Sequence, residues 1–122
     1  MAQIISATQS RSTGRFADKQ GAKRAHFLFQ ARELLDRARG YAADGRFDQA
    51  LEVAYQSALR TAGARVAVSV VSRRRRLPTS AWDRLALVGA EEKQWAEAFK
   101  SYSRTRARVA SGLDATPDEE YV

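Results

Sequence analysis

Cysteine is absent from this 122-residue chain, and histidine occurs once, as His26. The missing cysteine excludes disulfides and thiolate metal sites, and makes an intracellular, cytoplasmic location the default expectation. Proline is almost missing too. Pro78 and Pro117 are the only two, and both fall where a helix should already have stopped. No apolar run approaches the roughly 20 residues that span a bilayer, so no membrane partner is expected. The start, Met1-Ala2-Gln3-Ile4-Ile5-Ser6, lacks the long apolar stretch of a secretory signal. A glycine-rich phosphate loop is missing as well: Gly40, Gly45 and Gly63 stand alone, and none follows a strand.

What is present is alanine, leucine and arginine, all good helix formers. The length fits one domain, with about 90 residues left for the core once the ends are set aside. Twenty-one basic residues outweigh fourteen acidic ones, giving a net charge of +7. That sign favours polyanionic partners, nucleic acid above all, although the charges are spread along the whole chain.

The most informative stretch lies between Ala31 and Val70, where two amphipathic patterns flank the turn Ala43-Asp44-Gly45-Arg46-Phe47-Asp48. Residues 1–22 are polar, basic and without periodicity, and are expected to form a mobile arm. A first helix is predicted over residues 23–44. Phe27, Ala31, Leu34, Leu35, Ala38, Tyr41 and Ala42 recur on it at spacings of three and four, and Gly45 supplies the left-handed residue that ends it. A second is predicted over residues 47–71, its stripe running from Phe47 through Ala50, Leu51, Tyr55, Leu59, Ala62 and Val66 to Val70. The β-branched run at residues 66–71 is read as helical, because the stripe continues through it.

A linker with four consecutive arginines follows. Ser80, with Asp83 three residues on, opens a short third helix that places Trp82, Leu85 and Ala86 inward and ends at Gly89. The fourth is predicted over residues 90–111, with Glu91 and Glu92 in its favourably charged first turn and Trp95, Ala98, Phe99, Tyr102, Val109 and Leu113 on its buried face. Gly112 closes it, and residues 114–122 form an acidic tail.

Two families share the hairpin. Tyr41, Gly45, Phe47, Ala50, Tyr55 and Ala58 resemble the tetratricopeptide repeat. Such a solenoid needs about three stacked copies, and the segment from Trp95 to Phe99 gives one weak echo, so this is shared helical-hairpin packing. The second resemblance is wider. The segments Leu34-Leu35-Asp36-Arg37-Ala38, then Gly45-Arg46-Phe47-Asp48-Gln49-Ala50-Leu51-Glu52-Val53-Ala54-Tyr55, then Ala58-Leu59-Arg60-Thr61-Ala62-Gly63-Ala64, are similar to the first hairpin of the HEPN domain, and the later helices match it in length and order. This resemblance implies an all-α, four-helix up-down bundle over residues 23–113 and a homodimer. It also implies either a metal-independent ribonuclease or a partner in a bacterial conflict or toxin–antitoxin pair. The family's nuclease pair is an arginine, four to six residues, then a histidine. No arginine stands at that spacing before His26, and no histidine follows Arg104.

No catalytic residue, metal site or cofactor is therefore expected. His26 reads as a residue at a helix start, half packed beside Phe27 and Phe29. Glu91-Glu92 and Asp118-Glu119-Glu120 are adjacent carboxylates that point apart, and so are poor metal ligands. Tyr41, Tyr55, Trp82, Trp95 and Tyr102 lie on apolar stripes and read as core rather than as base-stacking platforms. The candidate nucleic-acid-binding residues are Arg73, Arg74, Arg75 and Arg76 on the linker, and Lys100, Arg104 and Arg108, which recur every four residues along one helical face with Arg106 nearby. The sequence thus points to a non-catalytic HEPN-like module that engages RNA, another polyanion or a partner protein. The alternatives are a HEPN-type ribonuclease with atypical active residues and a protein-interaction adaptor.

Overall fold

The computed structural model describes residues 2–112, 117, 121 and 122, with side chains from residue 17 onward. The regular elements are α1 (Ala2–Ala43), α2 (Phe47–Ala67), a 3-10 turn (Val70–Arg73), α3 (Ala81–Ala86) and α4 (Ala90–Ala110). The architecture is an all-α bundle with α2 at its centre. α1 packs on α2, while α3, α4 and the 3-10 turn pack on other parts of it and α3 packs on α4.

The turn between α1 and α2 closes through backbone geometry. Gly45 takes φ 76°. Its N–H donates to the Ala42 carbonyl at 3.0 Å, and the Arg46 N–H donates to the Tyr41 carbonyl at 2.9 Å. These bonds satisfy carbonyls that would otherwise be orphaned at the end of α1.

The α1–α2 seam is built from small side chains. Ala31 and Ala38 of α1 and Ala50 and Ala64 of α2 are buried. A buried Ser57 hydroxyl donates to the Ala31 carbonyl at 2.7 Å. The Phe27 ring lies on Gly63, where an added Cβ would meet it at 3.3 Å.

On the other flank of α2 the packing is aromatic. Trp82 is 4% exposed and clusters with Ala62, Leu85 and Ala96, with Tyr55, Leu59 and Phe99 packed around them. The Trp82 and Phe99 rings stack at 4.9 Å. Trp82 Nε1 donates to Tyr55 Oη at 2.9 Å, and that hydroxyl donates to Ser103 Oγ, also at 2.9 Å. One hydrogen-bonded chain therefore ties α3, α2 and α4 together. Arg65 Nε donates to Glu92 Oε1 at 3.0 Å, adding a second link between α2 and α4.

Four expectations change. Helix α1 begins at Ala2, well before residue 23, so residues 2–22 continue the helix where a mobile arm was expected. This segment contains no proline, and extending a nucleated helix fixes only one residue per added bond. From residue 17, where side chains are described, residues 17–19 and 21–26 are exposed, in keeping with the absence of an apolar stripe there. Helix α2 stops at Ala67, not at Val71. Ser69 donates its hydroxyl to the Val66 carbonyl at 2.7 Å, its N–H bonds the same oxygen, and the chain enters the 3-10 turn. Serine competes for backbone carbonyls and β-branched neighbours lose rotamer freedom, so the helix ends there. Val70 is consequently 77% exposed, and Val71 is the buried residue.

The face of α4 is also rotated. Trp95 is 51% exposed and Tyr102 43%, while Ala96 is buried and Phe99 and Ser103 face the body. Finally, α3 ends at Ala86, and Gly89 starts α4 with its carbonyl accepting from the Lys93 N–H at 3.0 Å. Ser80 caps α3 as the spacing predicts, accepting from the Asp83 N–H at 3.4 Å. Gly112, at φ 74°, follows the end of α4. Leu113 and the acidic residues Asp118, Glu119 and Glu120 lie outside the described residues.

Candidate nucleic-acid interface

The four linker arginines sit between two anchors. Upstream, Val71 is 1% exposed, Ser72 Oγ donates to the Ser69 carbonyl at 2.8 Å and the Arg74 N–H donates to the Val71 carbonyl at 3.0 Å. Downstream, Pro78 has a fixed φ, and its carbonyl accepts from Arg84 Nε at 2.5 Å. Arg73, Arg74, Arg75 and Arg76 are all exposed between these points. A short span held at both ends presents its charges with less conformational freedom to surrender on binding than a long flexible arm would have.

The α4 residues behave differently. Lys100 Nζ pairs with Asp83 Oδ1 at 2.5 Å, which ties α4 to α3. Arg104 and Arg108 are exposed on α4. Arg106 points the other way. Its Nε and Nη2 both donate to the Glu52 carboxylate on α2, and its guanidinium lies 5.3 Å from the Tyr55 ring centroid. The two-pronged bond from Arg106 holds the Glu52 carboxyl below the usual glutamate range, and the same bond raises Arg106. Arg106 is three residues from Ser103 and seven from Phe99, both of which face the body. That spacing is the signal in the sequence that it leaves the 100–104–108 face.

Two grooves flank α2. The first is a space of about 480 Å³ whose wall includes Ser72 and Leu77, the residues that bracket the arginine loop. Four cations from four helices line it: Lys23, Arg60, Arg84 and Arg106. Lys100, Arg104 and Arg108 do not. Lys23, Arg60 and Arg84 escape a reading of the sequence because each is separate from the arginine run, and only the fold brings them beside it. The second groove, also about 480 Å³, is apolar, with Leu35, Trp82, Trp95 and Phe99 among its walls. Of the aromatic residues assigned to the core, Trp95 instead stands at this open edge. Elsewhere on α4, Tyr102 meets Tyr121 edge-on at 5.7 Å.

His26 is exposed on α1 and is not part of either groove. Among the described residues no cluster of three metal-ligating side chains occurs, and no helix is long and apolar enough to cross a membrane.

A protein-family model, HEPN_SAV_6107-like HEPN, matches residues 42–122, from the last turn of α1 to the C-terminus. No curated protein and no solved structure matches the chain. The match spans α2, the 3-10 turn, α3 and α4, the part of the molecule built around Trp82, and with the helical architecture it shows that the chain belongs to the HEPN family.

Proposed function

We propose that this HEPN protein is a non-catalytic module that captures single-stranded RNA through the arginine loop. The observation that carries this reading is the loop itself: four consecutive exposed arginines, anchored at both ends and bordering a groove lined by further cations. Guanidinium groups suit phosphate oxygens because their planar fork donates two parallel hydrogen bonds. Each phosphate they neutralise releases counterions, so binding falls steeply with salt. Arg104 and Arg108 are exposed on α4 and form a secondary binding strip in this reading, and Lys100, paired with Asp83, stands on the same helix. The functional core in this reading is residues 23–113, with residues 1–22 as a basic extension.

The non-catalytic part of the proposal rests on the sequence: the family's arginine–histidine nuclease spacing has no counterpart in this chain. An intracellular setting beside a conflict or toxin–antitoxin partner is the context that the family suggests. A homodimer follows from the same kinship, and the Leu35–Trp95 edge is the apolar face offered for it, with Trp95 51% exposed.

The test is a fluorescence-anisotropy titration of a short unstructured RNA against wild type and a variant with residues 73–76 all changed to serine. The variant is expected to bind more weakly and with a flatter salt dependence, the slope falling by up to about 0.7 for each phosphate that is no longer neutralised. Equal affinity and equal slope would remove the proposal. RNA cleavage in the presence of chelator that His26→Ala abolishes would establish the ribonuclease alternative instead.

A further inference from the structure

The groove beside the arginine loop has a chemistry of its own. Lys23 and Arg60 enter it from the α1–α2 hairpin, and Arg84 and Arg106 from α3 and α4; none of its lining residues is a carboxylate. The charges are not equally engaged. Arg106 is neutralised by Glu52. Arg84 Nε is bound to the Pro78 carbonyl, an uncharged acceptor that leaves its positive charge uncancelled. Lys23 Nζ lies 5.9 Å from the Phe27 ring centroid, and Arg60 is exposed on α2. Concave walls concentrate the field of such charges and attract anions into the space between them.

The rest of the lining is largely apolar, with Phe27, Leu59, Val66 and Leu77 between the cations. The volume of about 480 Å³ falls within the roughly 300–1,000 Å³ of small-ligand sites. A bare anion would leave this apolar lining unused, and an apolar ligand would leave three cations unanswered. A phosphate joined to a flat, partly apolar body uses both.

We propose that this groove seats one nucleotide of a bound RNA strand, its phosphate on Lys23, Arg60 and Arg84 and its base against the apolar lining. The inference rests on the RNA-binding reading of the loop and deepens it. Ser72 and Leu77 belong to the groove wall and bracket residues 73–76, so a strand leaving the groove meets the loop arginines next. Lys23 and Phe27 lie upstream of the family-matched region, so α1 completes the groove from outside that region. Arg106, fixed by Glu52, serves as wall and positions Tyr55.

The test is an NMR titration of the full chain with uridine 5′-monophosphate, uridine and inorganic phosphate, following the Leu59, Val66 and Leu77 methyl groups. Uridine monophosphate is expected to give saturable shifts there, with uridine and inorganic phosphate each weaker by about tenfold or more, since each lacks one half of the recognition. Arg60→Gln and Lys23→Gln, both at exposed helical positions, are each expected to weaken monophosphate binding by about tenfold, the size of one charge-assisted hydrogen bond. No saturable shift, shifts centred on the Trp95 groove, phosphate binding as tightly as the nucleotide, or indifference to both substitutions would overturn the proposal. If the loop variant loses oligonucleotide binding while wild type takes no mononucleotide, the groove fails and the loop reading stands. If wild type binds neither RNA nor mononucleotide, both fail.

Discussion

The two flanks of α2 are held by different physics. On one side the α1 seam is alanine against alanine, with a single buried serine bond and a phenylalanine laid on a glycine. On the other side an indole, a phenol and a phenyl ring interlock, and a hydrogen-bonded chain crosses three helices. The alanine seam gains little from burial per residue but brings two backbones close over a long interface. The aromatic side concentrates apolar area in a few side chains, each of which buries far more surface than a methyl group. The family match covers the aromatic side and starts at the last turn of α1. The aromatic knot therefore lies inside the family-matched region, whereas Lys23 and Phe27 of the basic groove stand on α1, upstream of it.

The contrast can be broken or sharpened by substitution. The largest effect is expected at Trp82→Ala, which removes the centre of the aromatic cluster and the donor to Tyr55. It should destabilise by about 3–5 kcal/mol in urea unfolding. Next comes Ala38→Leu in the seam, where the buried Ala38 leaves no room for extra methyls. A cost of about 1–3 kcal/mol is expected in the same assay. A larger loss at Ala38 than at Trp82 would reverse the comparison.

The Glu52–Arg106 pair should contribute about 1 kcal/mol, because both side chains remain about a third exposed and solvent screens them. Its pH dependence has a definite sign. The Glu52 pKa is lowered in the folded state, chiefly by the hydrogen bond from Arg106. The contribution is therefore complete above the unfolded glutamate value of about 4.3 and is lost as pH falls through the lower folded value. Glu52→Gln should remove that part of the acid-side loss, measured as thermal midpoints from pH 7 downward. The smallest effect is expected at Gly40→Ala. Gly40 lies inside α1 with open space around its Cα, so alanine should stabilise by about 0.5–1 kcal/mol. The same change at Gly45, where φ is positive, should destabilise instead.

Much of the fold was legible from residue spacing. The turn at Gly45, the start of α2 at Phe47 and the Ser80 cap follow from local chemistry that acts over three to five residues. The end of α2 was not, because a stripe of apolar spacing cannot show that Ser69 will take a backbone carbonyl. The exposed Trp95 was missed for a related reason. Spacing groups Trp95 with Phe99 and Tyr102, but α4 turns Ala96 and Phe99 inward, and that rotation is set by Trp82 on another helix. Of the site, the arginine run was plain in the sequence. The groove beside it was not, since its cations lie on four helices and converge only through the fold.

RNA capture by the arginine loop is tested most directly by a backbone chemical-shift footprint of the protein with a short single-stranded RNA. The largest perturbations are expected at residues 72–77 and in the neighbouring basic groove at Lys23, Arg60 and Arg84, with the Leu35–Trp95 edge quiet. Perturbations centred on Leu35, Trp95 and Ala98, with residues 72–77 unmoved, would contradict it.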